Sequence, residues 1–288
     1  MLNNQVRRLL CVISEFLMKG KVWFSVFNHY IEIIQGKRMK KIEMTIPHHE
    51  REVSGRLTLP EKEGKYPLVI FSHGYNGSKN DFEIMTDYLA QQKIASFCYD
   101  FCGGSVQDKS SLPTTQMTIF TEKEDLHAVV NALCKREELD SKNLFLFGGS
   151  QGGLVSALTA EEIKEKVRGL ILLFPALCIA ENWNERFPKI EDIPDTQELW
   201  GMTLGRVFFE SIHGFDVYAH IGTFDKNVFV MHGDKDPVVS VEYSERLRRI
   251  YKNMEIEVFP GEGHGFTEAG NKKAAKLLAE FIKKNIVQ

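Results

Sequence analysis

Cysteine is sparse in this 288-residue chain: Cys11, Cys98, Cys102, Cys134 and Cys178 are odd in number, scattered, and never spaced C-x-x-C. That pattern supplies neither a disulfide framework nor a zinc site, and it fits a reducing cytoplasm. Charge of one sign is also missing. Lys and Arg total 36 against 39 Asp and Glu, a formal net charge of −3, so there is no broad basic field for nucleic acid. No uninterrupted apolar run approaches a membrane span, and H-E-x-x-H does not occur. His48-His49-Glu50 reads as a hairpin turn, not as part of a metal site. Internal repeats and low-complexity tracts are absent as well. What remains is ordinary globular composition, 43% hydrophobic and 26% charged, enough for one large core in a single domain.

Residues 1–38 differ in character from the rest. Val6, Leu9, Leu10, Ile13, Phe16 and Leu17 recur at helical spacing beside Arg7, Arg8, Lys19 and Lys21, which suits a basic amphipathic helix at a membrane surface. Glu15 interrupts the stretch and no A-x-A-like site follows, so it is a poor signal peptide. The reading favoured here is a peripheral extension. Membrane association is not expected, and Met39 opens the regular architecture of a domain spanning 39–288.

From Lys41, alternation at Ile42, Met44 and Ile46, and again at Val53, Leu57 and Leu59, predicts a hairpin. Strand and helix then alternate. Leu68 to Phe71, Ile94 to Tyr99, Leu144 to Phe147, Leu170 to Phe174, Val228 to Met231 and Glu255 to Phe259 read as strands. Helices are predicted over Asp81 to Gln92, over Thr121 to Lys135 with a capping box of Thr121 and Glu124, from Gln151, over Val241 to Tyr251, and around Leu278, Phe281 and Ile282. Alternating βα units predict a mostly parallel, doubly wound sheet covered on both faces. The rhythm breaks over 176–225, where Trp183, Phe187, Trp200, Phe208 and Phe209 are dispersed without a single period.

The strand Leu144 to Phe147 has no polar face and runs into Gly148-Gly149-Ser150-Gln151-Gly152, which fits G-x-S-x-G. That turn lifts a serine hydroxyl out of a sheet to where a base can reach it. Glycine permits the sharp backbone and close approach there. No Lys follows Gly153, so the phosphate-cradling P-loop pattern fails. A serine hydroxyl is a weak nucleophile and needs a base, itself held in one tautomer by an acid. Residues just after the strands are where open α/β sheets place their ligands, and here they include Asp234, Asp236 and His264. Ser150, an aspartate and His264 then follow the Ser, Asp, His order of α/β-hydrolases. Asp234 and Asp236 compete for the acid. His73 and His232 lie directly after strands and read as hydrogen-bonding loop supports. The negative oxygen formed by attack on a carbonyl needs preorganised donors; in such a fold these are the amide of Gln151 and one from the loop His73-Gly74-Tyr75.

The segments "HGYNGSKNDFE", "YDFCGGS", "MTIFTEKEDL", "GGSQGG", "MTLGRVFFESI" and "MHGDKDPVVS" occur in an order, over roughly 250 residues, that resembles the cinnamoyl and feruloyl esterases of the α/β-hydrolase superfamily. The resemblance implies Ser150 as nucleophile, Asp236 as acid, His264 as base, the amides of Tyr75 and Gln151 as oxyanion hole, and a lid inserted at 176–225. It implies an α/β-hydrolase fold and a serine carboxylesterase acting on a small-molecule ester, of hydroxycinnamate type, with no metal or organic cofactor. An acyltransferase or peptidase with the same triad, or a non-catalytic binding module on the scaffold, are the alternatives. Two departures stand out: Gly149 where the family has His before the serine, and Asp100 to Ser105, "DFCGGS", where it has DFxGxG.

Overall fold

The computed structural model describes residues 39–287; the extension and amphipathic-helix readings lie outside them. The chain opens with the expected hairpin, β1 (Met39–His48) against β2 (Arg51–Pro60), turning through His49 at φ 52°. β2 then pairs antiparallel with β4 (Ala95–Tyr99). From β4 onward all neighbours are parallel: β3 (Tyr66–Ser72), β5 (Leu139–Gly149), β6 (Val167–Leu173), β9 (Asn227–Gly233) and β10 (Met254–Phe259). The eight-stranded order is β1-β2-β4-β3-β5-β6-β9-β10. After β3 the chain winds outward to β4 and then returns past β3 to β5, so a switch point lies between the carboxyl ends of β3 and β5.

The central strands are apolar throughout because both faces are covered. Along β5, Leu144 and Leu146 join the core beneath α2 (Ile119–Leu133) and α3 (Gln151–Glu162), whereas Phe145 and Phe147 join the core beneath α1 (Glu83–Gln91) and α7 (Glu268–Asn285). Side chains alternate at period two, so one strand feeds both layers. Each fully buried Phe or Leu contributes about 1.5–3 kcal/mol.

Helix boundaries shift slightly from the sequence reading. α2 begins at Ile119, two residues earlier than expected, because Thr118 has extended backbone and its hydroxyl accepts the Thr121 N–H at 3.0 Å. Thr121 answers by accepting the Thr118 N–H at 2.9 Å, so the capping box is Thr118 with Thr121, not Thr121 with Glu124. The helix expected to reach Tyr251 is α6 (Val241–Arg246) followed by a 3₁₀ turn, Leu247–Arg249.

Between β6 and β9 lie α4 (Ile179–Arg186), the hairpin β7 (Thr196–Leu199) with β8 (Met202–Gly205), and α5 (Arg206–Ile212). The aromatic residues there showed no common period because they are shared among elements of four to eight residues. Trp200 at φ 45° and Gly201 at φ 79° make the hairpin's two-residue turn. Among the described residues no helix is long and apolar enough to cross a membrane.

Candidate active site

Ser150 sits between the end of β5 and the start of α3 at φ 51° and ψ −120°. A non-glycine residue in such a conformation costs on the order of 1–3 kcal/mol and persists only where its surroundings over-determine it. Here they do. The Ser150 N–H donates to Leu173 O at 3.0 Å, and its carbonyl accepts from Gly153 at 2.9 Å and Ala176 at 2.9 Å. The flanking glycines serve close approach: a Cβ on Gly152 would overlap the carbonyl oxygens of Ser72 and His73, and one on Gly148 would overlap Gly152 O. Helix α3 is thereby pressed against the β3–α1 loop.

The structure brings Ser150, Asp236 and His264 together. His264 Nε2 lies 2.9 Å from Ser150 Oγ, and its Nδ1 lies 2.7 Å from Asp236 Oδ2. A carboxylate only accepts, so Nδ1 carries the proton and the Nε2 lone pair faces the serine hydroxyl. In that arrangement an imidazole can take the hydroxyl's proton. The Asp236 side chain is shielded from solvent; its Oδ1 accepts the N–H groups of Val238 at 2.8 Å and Val239 at 2.9 Å. Burial pushes its carboxyl up, but the Val239 N–H, His264 and the Val238 N–H outweigh that and hold it below the usual carboxylate range. The competing Asp234 faces away, accepting the Gly261 N–H at 2.6 Å.

The two histidines that lie directly after strands, His73 and His232, brace loops. His73 Nδ1 donates to Gly74 O at 2.7 Å and its Nε2 accepts the Phe101 N–H at 3.0 Å; burial pushes its pKa down, which keeps that acceptor. His232 Nε2 donates to Val239 O at 3.0 Å, with Asp236 Oδ2 at 3.2 Å, while Nδ1 accepts from Ser244 Oγ at 2.7 Å.

Tyr75 and Gln151 line one cavity with Ser150. Among the described residues, neither backbone N–H has an acceptor. Gly74 keeps the approach open: a Cβ there would sit 3.1 Å from Ser150 Cβ and 3.7 Å from its Oγ. The Tyr75 phenol donates to Leu199 O at 2.9 Å and Met202 O at 3.1 Å, tying the β3–α1 loop to the β7–β8 hairpin. Burial, with Glu198 nearby, pushes that phenol up to about 12, so it stays a donor.

Sequence reasoning missed two acids. Glu122 and Asp125, in the charged stretch "FTEKED", look like a solvated helix face but are buried on α2. The Gln151 side-chain amide donates to Glu122 Oε1 at 2.8 Å and Oε2 at 2.9 Å. Asp125 Oδ2 accepts the Cys102 N–H at 2.8 Å. Two residues along that loop, Gly104 O accepts the Asn76 N–H at 3.1 Å, next to Tyr75. Burial drives the Glu122 carboxyl well above its ordinary range and Asp125 up to about 7. Their spacing of three residues was the available signal, since it puts both on one helix face.

Cavities of about 360 Å³ and 310 Å³ meet at Ser150, sharing Tyr75 and Trp200 as walls. The second is lined by His264 and Phe174, whose rings lie 4.7 Å apart. Among the described residues, no group of three His, Cys, Asp or Glu side chains is placed to hold a metal ion.

A parallel sheet with a strained serine at its switch point defines an α/β-hydrolase. More narrowly, the chain belongs to the Hydrolase_4 family, described as serine aminopeptidase, S33, whose pattern matches residues 65–214. It is similar to the solved structure of Est1E from Butyrivibrio proteoclasticus with ferulic acid bound, at 25% identity and TM-score 0.77, over 85% of this chain and 100% of that one. Monoacylglycerol lipase ABHD6 of Mus musculus is 21% identical over 95% of this chain and 91% of its own length. Inactive dipeptidyl peptidase 10 of Mus musculus is also 21% identical, over 87% of this chain and 32% of its own length.

Proposed function

We propose that the protein is a serine carboxylesterase working through an acyl-enzyme on Ser150. The observation that carries this is the relay of Oγ to Nε2 at 2.9 Å and Nδ1 to Oδ2 at 2.7 Å, beside two unengaged N–H groups. His264 takes the Ser150 proton as Oγ attacks the ester carbonyl, and the Tyr75 and Gln151 amides meet the negative oxygen. The imidazolium, steadied by Asp236, gives that proton to the departing alcohol. Water then loses a proton to His264 as it attacks the acyl carbon, and His264 returns that proton to Ser150 Oγ as the acid departs. Residues 176–225 act as a lid over the site. The walls contributed by Trp183, Trp200 and Phe208 suit an aromatic acyl group, and the likeness to the structure holding ferulic acid supports a hydroxycinnamate ester.

Ser150→Ala is expected to lower kcat for a p-nitrophenyl ester by on the order of 10⁴-fold or more; turnover within tenfold of the unaltered protein would reject the assignment. The family description favours a second reading, an amide substrate. Turnover of an ester and an amide sharing one acyl group separates the two.

A further inference from the structure

The 360 Å³ cavity has a direction. Ala176, bonded to the Ser150 carbonyl, leads into α4, which presents Ile179, Asn182, Trp183 and Arg186 to the cavity. These are positions i, i+3, i+4 and i+7, one helix face. From Ile179 to Arg186 that face runs about 10 Å. The wall is therefore largely apolar near the nucleophile and ends in a cation.

Arg186 is exposed, yet it is held in place. Its guanidinium lies 5.3 Å from the Trp183 ring centroid and 5.6 Å from that of Phe187, two rings stacked 5.7 Å apart and 9° from parallel. One of its N–H groups donates to Gln197 Oε1, a neutral acceptor, at 3.3 Å. Among the described residues no carboxylate lies within 4.0 Å of it. A planar fork fixed against aromatic faces, with its charge unanswered, is well suited to bind a carboxylate.

The lobes also differ in which half of an ester they receive. His264 must give its proton to the departing alcohol, so the alcohol belongs to the lobe that His264 lines. Tyr75 walls both lobes, but Gln151, whose amide is assigned above to the acyl oxygen, lines only the other one, and so does Arg186. Asp81, the carboxylate in the alcohol lobe, is engaged by Ser78 through its N–H at 2.9 Å and its hydroxyl at 3.1 Å, and it disfavours an anion there.

We propose that Arg186 is a specificity residue, and that the preferred substrates are esters whose acyl half is apolar along its length and ends in a carboxylate. An extended chain advances roughly 1.2 Å per bond, so about eight bonds cover the α4 face. A hydroxycinnamoyl group, the acyl half favoured above, has similar reach and fits the same walls but ends in a neutral phenol, so it is accepted without engaging the guanidinium and ranks below a carboxylate-ended analogue. This inference rests on the esterase reading above.

The test compares kcat/KM for 4-nitrophenyl hydrogen octanedioate with that for 4-nitrophenyl octanoate, and for methyl 4-carboxycinnamate with that for methyl ferulate. The unaltered protein is expected to favour each carboxylate roughly three- to tenfold, less so in high salt. Arg186→Gln should bring the ratio of kcat/KM within each pair to about one, whatever it does to the neutral esters themselves, and Arg186→Lys should keep part of the preference. Equal use of both members of each pair, or a preference that survives Arg186→Gln, overturns the inference and leaves the esterase reading standing. Failure to hydrolyse any of the four esters, together with no fluorophosphonate labelling of Ser150, removes both.

Discussion

Gly149 shows how one side chain can be excluded by its neighbours. A Cβ there would lie 3.0 Å from Phe82 Cζ and 3.3 Å from its Cε1. Phe82 is 7% exposed and is held by Phe71 and Phe147, at centroid distances of 5.4 and 5.1 Å. The resembled esterases carry His at this position; here the phenyl ring takes the space instead. Gly149→His should therefore cost about 1–3 kcal/mol of unfolding free energy through overpacking. In a Phe82→Ala background the added cost should fall to near zero, as a double-mutant cycle in urea would show. Additive costs would mean that Phe82 is not what excludes the side chain.

At the scale of elements, α2 acts as a brace. Its two buried acids reach the two sides of the candidate oxyanion hole: Glu122 through the Gln151 side chain, and Asp125 through Cys102 and the loop that holds Asn76. Burying a carboxyl without partners is expensive, so each is committed to the groups it holds. Glu122→Leu frees the Gln151 side chain, and the amide of that same residue should lose its fixed aim. Hydrolysis of a p-nitrophenyl ester should then fall about tenfold or more in kcat with KM little changed, because the interaction lost is one made in the transition state. Glu122→Gln, which still offers a carbonyl oxygen to Gln151, should recover most of that loss. A change confined to KM, or equal losses in both variants, would contradict the bracing role.

Across the whole molecule, the parts legible in the sequence are those set by local pattern. Strands covered on both faces read as continuous apolar runs, so β3, β5, β6 and β9 stood out, and G-x-S-x-G marked the turn after β5. The spacing of Glu122 and Asp125 put them on one helix face, but their burial was not legible, since what covers that face, Gln151 and the loop over 100–105, is distant in sequence. Phe82 and Phe174, which line the second cavity, stood in the sequence only inside a predicted helix and at the end of a predicted strand, for the same reason. Asp236 could be preferred to Asp234 only by resemblance; the structure separates them by what each carboxylate faces.

Tyr75, Ser150, Asp236 and His264 follow the carboxyl ends of β3, β5, β9 and β10, and the proposed chemistry depends on their meeting at that edge of the sheet. Fluorophosphonate labelling followed by peptide mass spectrometry tests that directly, because the reagent reacts with a serine only where a base has activated it. A single adduct is expected on the peptide carrying Ser150, absent in Ser150→Ala and slowed at least a hundredfold in His264→Gln. Labelling at another serine, or at Ser150 with an unchanged rate in His264→Gln, would contradict it.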